Sequence, residues 1–126
     1  LGRLGSRVVR VGFVEPETLS ELQAAAELFV FPSRQEGFGL PVLEAMAQGT
    51  AVITSSGTST EEVVGDCGVV VDPSDVDALR AEIDRLLADD EERNRLGRAG
   101  LNRATSLFTW DKTAKALQSA YEAAMA

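Results

Sequence analysis

Three short apolar runs, at residues 28–31, 51–54 and 68–71, most constrain what this chain can fold into, because none of them alternates apolar with polar residues. A strand with one face in water alternates. A strand that is apolar throughout is covered on both faces, as strands are in a parallel sheet crossed by helices. A fourth run at 8–14, rich in β-branched residues, reads as a further strand. Helix-forming segments lie between and after these runs: 17–26 behind Pro16, about 40–48, a short one near 61–64, and amphipathic stretches at about 75–88, 90–103 and 110–124. The order predicts an α/β fold, a Rossmann-like parallel sheet with flanking helices, whose ligands bind beyond the carboxyl ends of the strands. The loops at 14–17, 32–39 and 54–60 all leave such ends and can line one site.

The loop at 32–39 is the richest in chemistry. The strand before it stops at Pro32, two glycines follow, and a helix restarts near Pro41 and closes at Gly49. Proline suits a helix start because its absent N–H is unpaired there in any case, and Gly49 stands where a helix-ending glycine belongs. Gly37 and Gly39 open backbone conformations closed to other residues and let a ligand approach the main chain. The free N–H groups and positive dipole end of the helix then suit a phosphate. Two carboxylates bracket this loop, Glu36 at its entrance and Glu44 one turn into the helix. Each repels a phosphate and so needs another partner, for which sugar hydroxyls are the natural choice. A plainer reading also fits, with Glu36 solvated, Glu44 placed for the helix dipole and the glycines serving only the turn.

In the later helices, Val76, Leu79, Ile83, Leu86 and Leu87 recur at helical spacing behind a Ser74 or Asp75 cap. Asp90, Glu91 and Glu92 open the next helix and Arg93, Arg95 and Arg98 follow, which suits the dipole and predicts a solvated face. Thr109 caps the last helix, where Trp110, Ala114, Leu117 and Tyr121 form one stripe with Trp110 as a core or packing anchor rather than a ligand contact.

At 126 residues the chain is the size of one domain. The net charge of −8, with no basic cluster, argues against a nucleic-acid or anionic-membrane surface, so an anionic ligand must be held by local donors. Cys67 is the only cysteine and histidine is absent, which excludes disulfides, zinc sites built on Cys and His, and every histidine-based acid, base or triad. No apolar run reaches the length of a membrane span and no charged-then-apolar leader opens the chain, so a cytoplasmic setting is expected. The first residue is Leu1 rather than methionine, which suggests a fragment or a processed product.

The motif Glu36-Gly37-Phe38-Gly39-Leu40-Pro41-Val42-Leu43-Glu44, together with residues 11–14, 28–33, 45–53, 62–64, 68–71 and 108–110, resembles the C-terminal domain of group 1 retaining glycosyltransferases of the GT-B fold. The segments come in family order and cover nearly the whole chain. The resemblance implies a partial donor-binding domain over residues 1–126, helical from about 75 onward. It implies transfer of a hexose-type sugar from a nucleoside diphosphate sugar, with retained configuration. Glu36 is then the residue that contacts the transferred sugar. Gly37, Phe38, Gly39 and Leu40 line the phosphate and sugar through their main chain, Glu44 accepts hydrogen bonds from the ribose, and Val14 and Glu15 hold the base. No metal and no other cofactor are implied.

Departures from the family pattern matter as much. Such domains open with a strand bearing an Arg and, soon after, a Lys that clamp the diphosphate, and a second strand with a glycine follows. Here the first lysine is Lys112. Only seven residues precede Val8, too few for a βαβ unit of about 30. The acceptor-binding N-terminal domain is also outside this chain, so weak or absent turnover is expected of the chain alone. If the sheet keeps the order 3-2-1-4-5-6, the central strands are the missing ones. The strand at 8–14 then lacks a neighbour, an edge to be covered by a second copy exchanging elements, by a companion chain or by a rearranged pairing, and self-association of the isolated chain is expected. Alternatives are a non-catalytic module binding a nucleotide or sugar phosphate, or another GT-B enzyme such as a phosphorylase or sugar-nucleotide epimerase. A glycoside hydrolase using Glu36 and Glu44 fits poorly, because both carboxyls must flank one glycosidic bond.

Overall fold

The computed structural model describes residues 7–125. In chain order these form α1 (Pro16–Ala25), β1 (Phe29–Phe31), α2 (Leu40–Ala47), β2 (Val52–Ser55), α3 (Ser59–Val64), a 3₁₀ turn (Gly65–Cys67), β3 (Val69–Val71), α4 (Val76–Leu87), α5 (Asp90–Leu107) and α6 (Trp110–Met125). The three strands pair in parallel in the order β1-β2-β3, with Val30 opposite Ile53 and Thr54 opposite Val70. Every residue of the central strand β2 is buried. Its neighbours Val52 and Ile53 point to opposite faces: Val52 joins Val42, Met46, Val63 and Ala104, and Ile53 joins Val71, Leu86 and Leu96. Two apolar layers therefore sandwich the sheet, which is why the strands read as unbroken apolar runs. Each fully buried branched side chain in these layers contributes about 1.5–3 kcal/mol.

Asp75 and Asp89 cap α4 and α5, their carboxylates accepting from the N–H of Ala78 at 2.8 Å and of Glu92 at 2.9 Å. Helices α2 and α5 cross closely where Gly97 faces the Gly49 carbonyl and Gly100 faces Met46. On the other side α1 is fastened to α2 by polar contacts. Gln48 Nε2 donates to Ser20 Oγ at 2.7 Å, and Thr50 Oγ1 donates to the Gln23 carbonyl at 2.7 Å. No helix among the described residues is long and apolar enough to cross a membrane.

Three expectations fail. Residues 8–14 form no strand: they pair with nothing in the sheet, Phe13 is 90% exposed, and Gly12 has φ +65°. β-branched composition favours extended backbone, but a strand needs a neighbour, and none of the described residues supplies one. The loop at 14–17 consequently leaves no strand end. Trp110 is no core anchor. It is 87% exposed, and α6 buries none of its residues. Arg93 is not a solvated side chain either. Only 13% of it is exposed, and it donates to the carbonyls of Leu86 and Leu87 at the end of α4 while pairing with Asp90 and Glu27. Arg95 is the exposed partner of Glu92, as a charged helix face requires.

Candidate functional site

The carboxyl ends of the strands share one side of the sheet, and the loop after β1 and the loop after β2 meet there. Gly39 is the N-cap of α2, at φ +95° and ψ +44°, a left-handed conformation that costs an L side chain roughly 1–2 kcal/mol. It is also buried against Thr60, whose methyl occupies the place of a Cβ. Only glycine fits. Gly37 differs: it is exposed, does not share the positive φ, and has open space where a Cβ would project. The sequence treats both glycines alike, whereas the backbone requires only the second.

With Gly39 turning the chain, the Gly39 carbonyl starts α2 by accepting from Val42 and Leu43. The N–H groups of Phe38, Gly39 and Leu40 have no acceptor among the described residues. Three unpartnered donors at a helix N-terminus, two of them on the exposed residues Phe38 and Leu40, thus suit an anion, and the helix dipole adds to them.

Glu36 is half-buried and held at two points. Ser33 Oγ donates to its carboxylate at 2.8 Å, and Ser59 Oγ donates to its main-chain carbonyl at 3.1 Å. Ser33 lies only three residues away, so a local serine turn offered a sequence signal for it. Ser59 is 23 residues distant and gave none.

Phe38 stands edge-on to Phe108, ring centroids 6.0 Å apart at 74°. Phe108 in turn lies 5.8 Å from the Arg103 guanidinium, which donates to the carbonyls of Glu62 and Val63 at the end of α3. Beside this stack Phe38, Leu40, Leu43, Phe108, Trp110 and Thr113 line an open apolar cleft of about 400 Å³.

Glu44 is exposed on α2 and borders a second cleft of about 290 Å³ with Pro16, Leu19, Ser20 and Gln48. Glu15 is exposed, and its carbonyl accepts from Leu19 as the cap of α1; Val14 is half-buried. Neither residue is hydrogen-bonded to the 32–39 loop among the described residues. Glu36 and the three free N–H groups therefore belong to one loop, Glu44 borders the separate cleft beside α1, and Val14 and Glu15 directly precede Pro16, which lines that cleft.

The family model described as Glycosyl transferases group 1 matches residues 3–103. The chain is 47% identical over 112 residues to the O-antigen chain mannosyltransferase B of Escherichia coli, covering 89% of this chain and 29% of that protein. It is 43% identical over 113 residues to the MMP alpha-(1->4)-mannosyltransferase of Mycolicibacterium hassiacum, covering 87% and 28%. Among solved structures it superposes on a sucrose-phosphate synthase from Thermosynechococcus elongatus with a TM-score of 0.87 and 38% identity, over 98% of this chain and 31% of that one. On the C-terminal domain of a group 1 family glycosyl transferase from Francisella tularensis the TM-score is 0.77 with 28% identity, over 86% and 57%. The chain spans less than a third of the length of these two curated relatives. With α/β architecture, GT-B structural neighbours and a family match over most of its length, the chain belongs to the group 1 glycosyl transferases.

Proposed function

We propose that the 32–39 loop and the start of α2 form the donor site of a retaining glycosyltransferase that takes its sugar from a nucleoside diphosphate sugar. The observation that carries this reading is the left-handed Gly39, which leaves the N–H groups of Phe38, Gly39 and Leu40 free at a helix N-terminus beside a held carboxylate. The diphosphate lies against those N–H groups, with Gly37 leaving room for it. Glu36 receives hydrogen bonds from the transferred sugar, Glu44 from the ribose, and the main chain at Val14 and Glu15 meets the base. Since both curated relatives are named mannosyltransferases, a mannose-type hexose is the leading donor sugar.

During transfer the bond from the sugar's anomeric carbon to the diphosphate breaks and an acceptor hydroxyl takes its place on the same face. Charge grows on the departing diphosphate, where preorganised N–H donors stabilise it without a metal. The acceptor is bound by a domain outside this chain, and the Arg and Lys pair that clamps the diphosphate in the family pattern comes from outside it too. The site works in the cytoplasm, and the 126-residue chain alone turns over weakly or not at all.

Calorimetry with UDP, GDP and ADP tests the reading. One of them binds, and Glu44→Ala weakens it about three- to tenfold, the worth of one ribose hydrogen bond at an exposed side chain. A chain that binds none of the three refutes it. The missing basic pair favours one second reading, a nucleotide-binding module without turnover. Glycosyl transfer by the longer protein from a sugar nucleotide to an acceptor eliminates that alternative.

A further inference from the structure

The segment from β2 to α3 touches the donor loop at three points. At the root of the loop Thr54 Oγ1 lies 3.2 Å from the Phe31 carbonyl. At its tip Ser59 Oγ donates to the Glu36 carbonyl. Between them the methyl of the fully buried Thr60 fills the space under Gly39.

The threonines act as one unit. Thr60 Oγ1 is 2.6 Å from the hydroxyls of both Thr54 and Thr58, and Thr58 Oγ1 is 3.3 Å from the Ser55 carbonyl. Three hydroxyl protons thus serve four contacts, so at most three are made at once and the hydroxyls depend on one another. Ser59 stands apart from it. Among the described residues its hydroxyl has one partner, the Glu36 carbonyl, so its removal leaves the floor under Gly39 in place.

We propose that Ser59 is a positioning residue for the sugar end of the donor site. By holding the Glu36 main chain, it fixes where the Glu36 carboxylate stands relative to the N–H groups of Phe38, Gly39 and Leu40. The proposal rests on the donor-site reading above and adds a division of labour. Thr60 sets the phosphate end through Gly39, and Ser59 sets the sugar end through Glu36. Loss of Ser59 therefore weakens sugar recognition and spares the diphosphate, whereas a purely structural role affects both alike.

The test is calorimetry on the chain with UDP, GDP and ADP and with their mannose and glucose esters, taking the best-bound pair. Ser59→Ala is expected to weaken the sugar nucleotide about fivefold, the worth of one hydrogen bond, while the bare diphosphate stays within about twofold. Ser59→Thr, which keeps the hydroxyl, restores the affinity for the sugar nucleotide. Equal losses on the two ligands, or no loss on either, overturn the proposal while the donor-site reading stands. Wild-type protein that binds neither ligand overturns both.

Discussion

Gly37 and Gly39 stand two residues apart, and substitution separates them. At Gly39 an alanine meets both the left-handed backbone and the Thr60 methyl, so Gly39→Ala is expected to destabilise by about 2 kcal/mol or more. At Gly37 a Cβ enters open space on ordinary backbone, and the stiffer unfolded chain leaves Gly37→Ala neutral or more stable by up to about 1 kcal/mol. Urea denaturation of the two variants measures the contrast, and equal midpoints would contradict it. The sequence disclosed that a glycine was needed in this loop. It did not disclose which one, because the decisive atom belongs to Thr60, 21 positions later. Glu36 is similar: its place in the motif was readable, whereas its hold by Ser59 depends on how two loops meet.

Among the elements, helices and strands were legible wherever local chemistry decides them. Apolar runs mark β1 to β3, Ser74 and Asp75 are both cap residues by type and Asp75 caps α4, and an acid-first, base-last order marks α5. What escaped were contacts between elements. Gly97 looks like an ordinary helix glycine, yet α5 crosses α2 there so closely that a Cβ would strike the Gly49 carbonyl. Gly97→Ala is expected to cost about 1–3 kcal/mol by overpacking, although alanine is the better helix former. An unchanged thermal midpoint would show that the helices can separate freely. Arg93 belongs here for the same reason, since besides Asp90 in its own turn it reaches the carbonyls of Leu86 and Leu87 at the end of α4.

Within α5 itself, the hydrogen bonds from Arg95 hold the Glu92 carboxyl below the ordinary carboxylate range. The folded-state value is the lower one, so the pair's contribution is present above the unfolded value and is lost as pH falls through the folded one. Arg95 is exposed and Glu92 only half-buried, so the pair's effect on global unfolding is small, and NMR of the carboxyl is the better probe. Arg95→Met should raise the Glu92 midpoint toward the ordinary range; a midpoint that stays put would assign the shift to another cause.

For the molecule as a whole, the sequence correctly implied an unfinished surface and misjudged how it is arranged. The run at 8–14 was read as a strand and Trp110 as a core anchor because composition and periodicity report which faces want cover, not what covers them. The result is a set of open apolar surfaces. Phe13 and Trp110 are nearly fully exposed, Leu117 and Tyr121 are more than half exposed along the same stripe of α6, and β1 has no strand on its outer edge among the described residues. A 16-residue helix without packing is marginal in water, and an unpaired strand edge is a template for another chain. The 126-residue chain is therefore expected to self-associate, with α6 as the main contact. Sedimentation across a concentration series should show mass rising above that of one chain. Trp110→Glu combined with Leu117→Glu, both on solvent-facing positions that cost the fold little, should return it toward a monomer. A compact monomer at every concentration would mean that α6 folds back onto its own domain in solution, and the stripe would then be core after all.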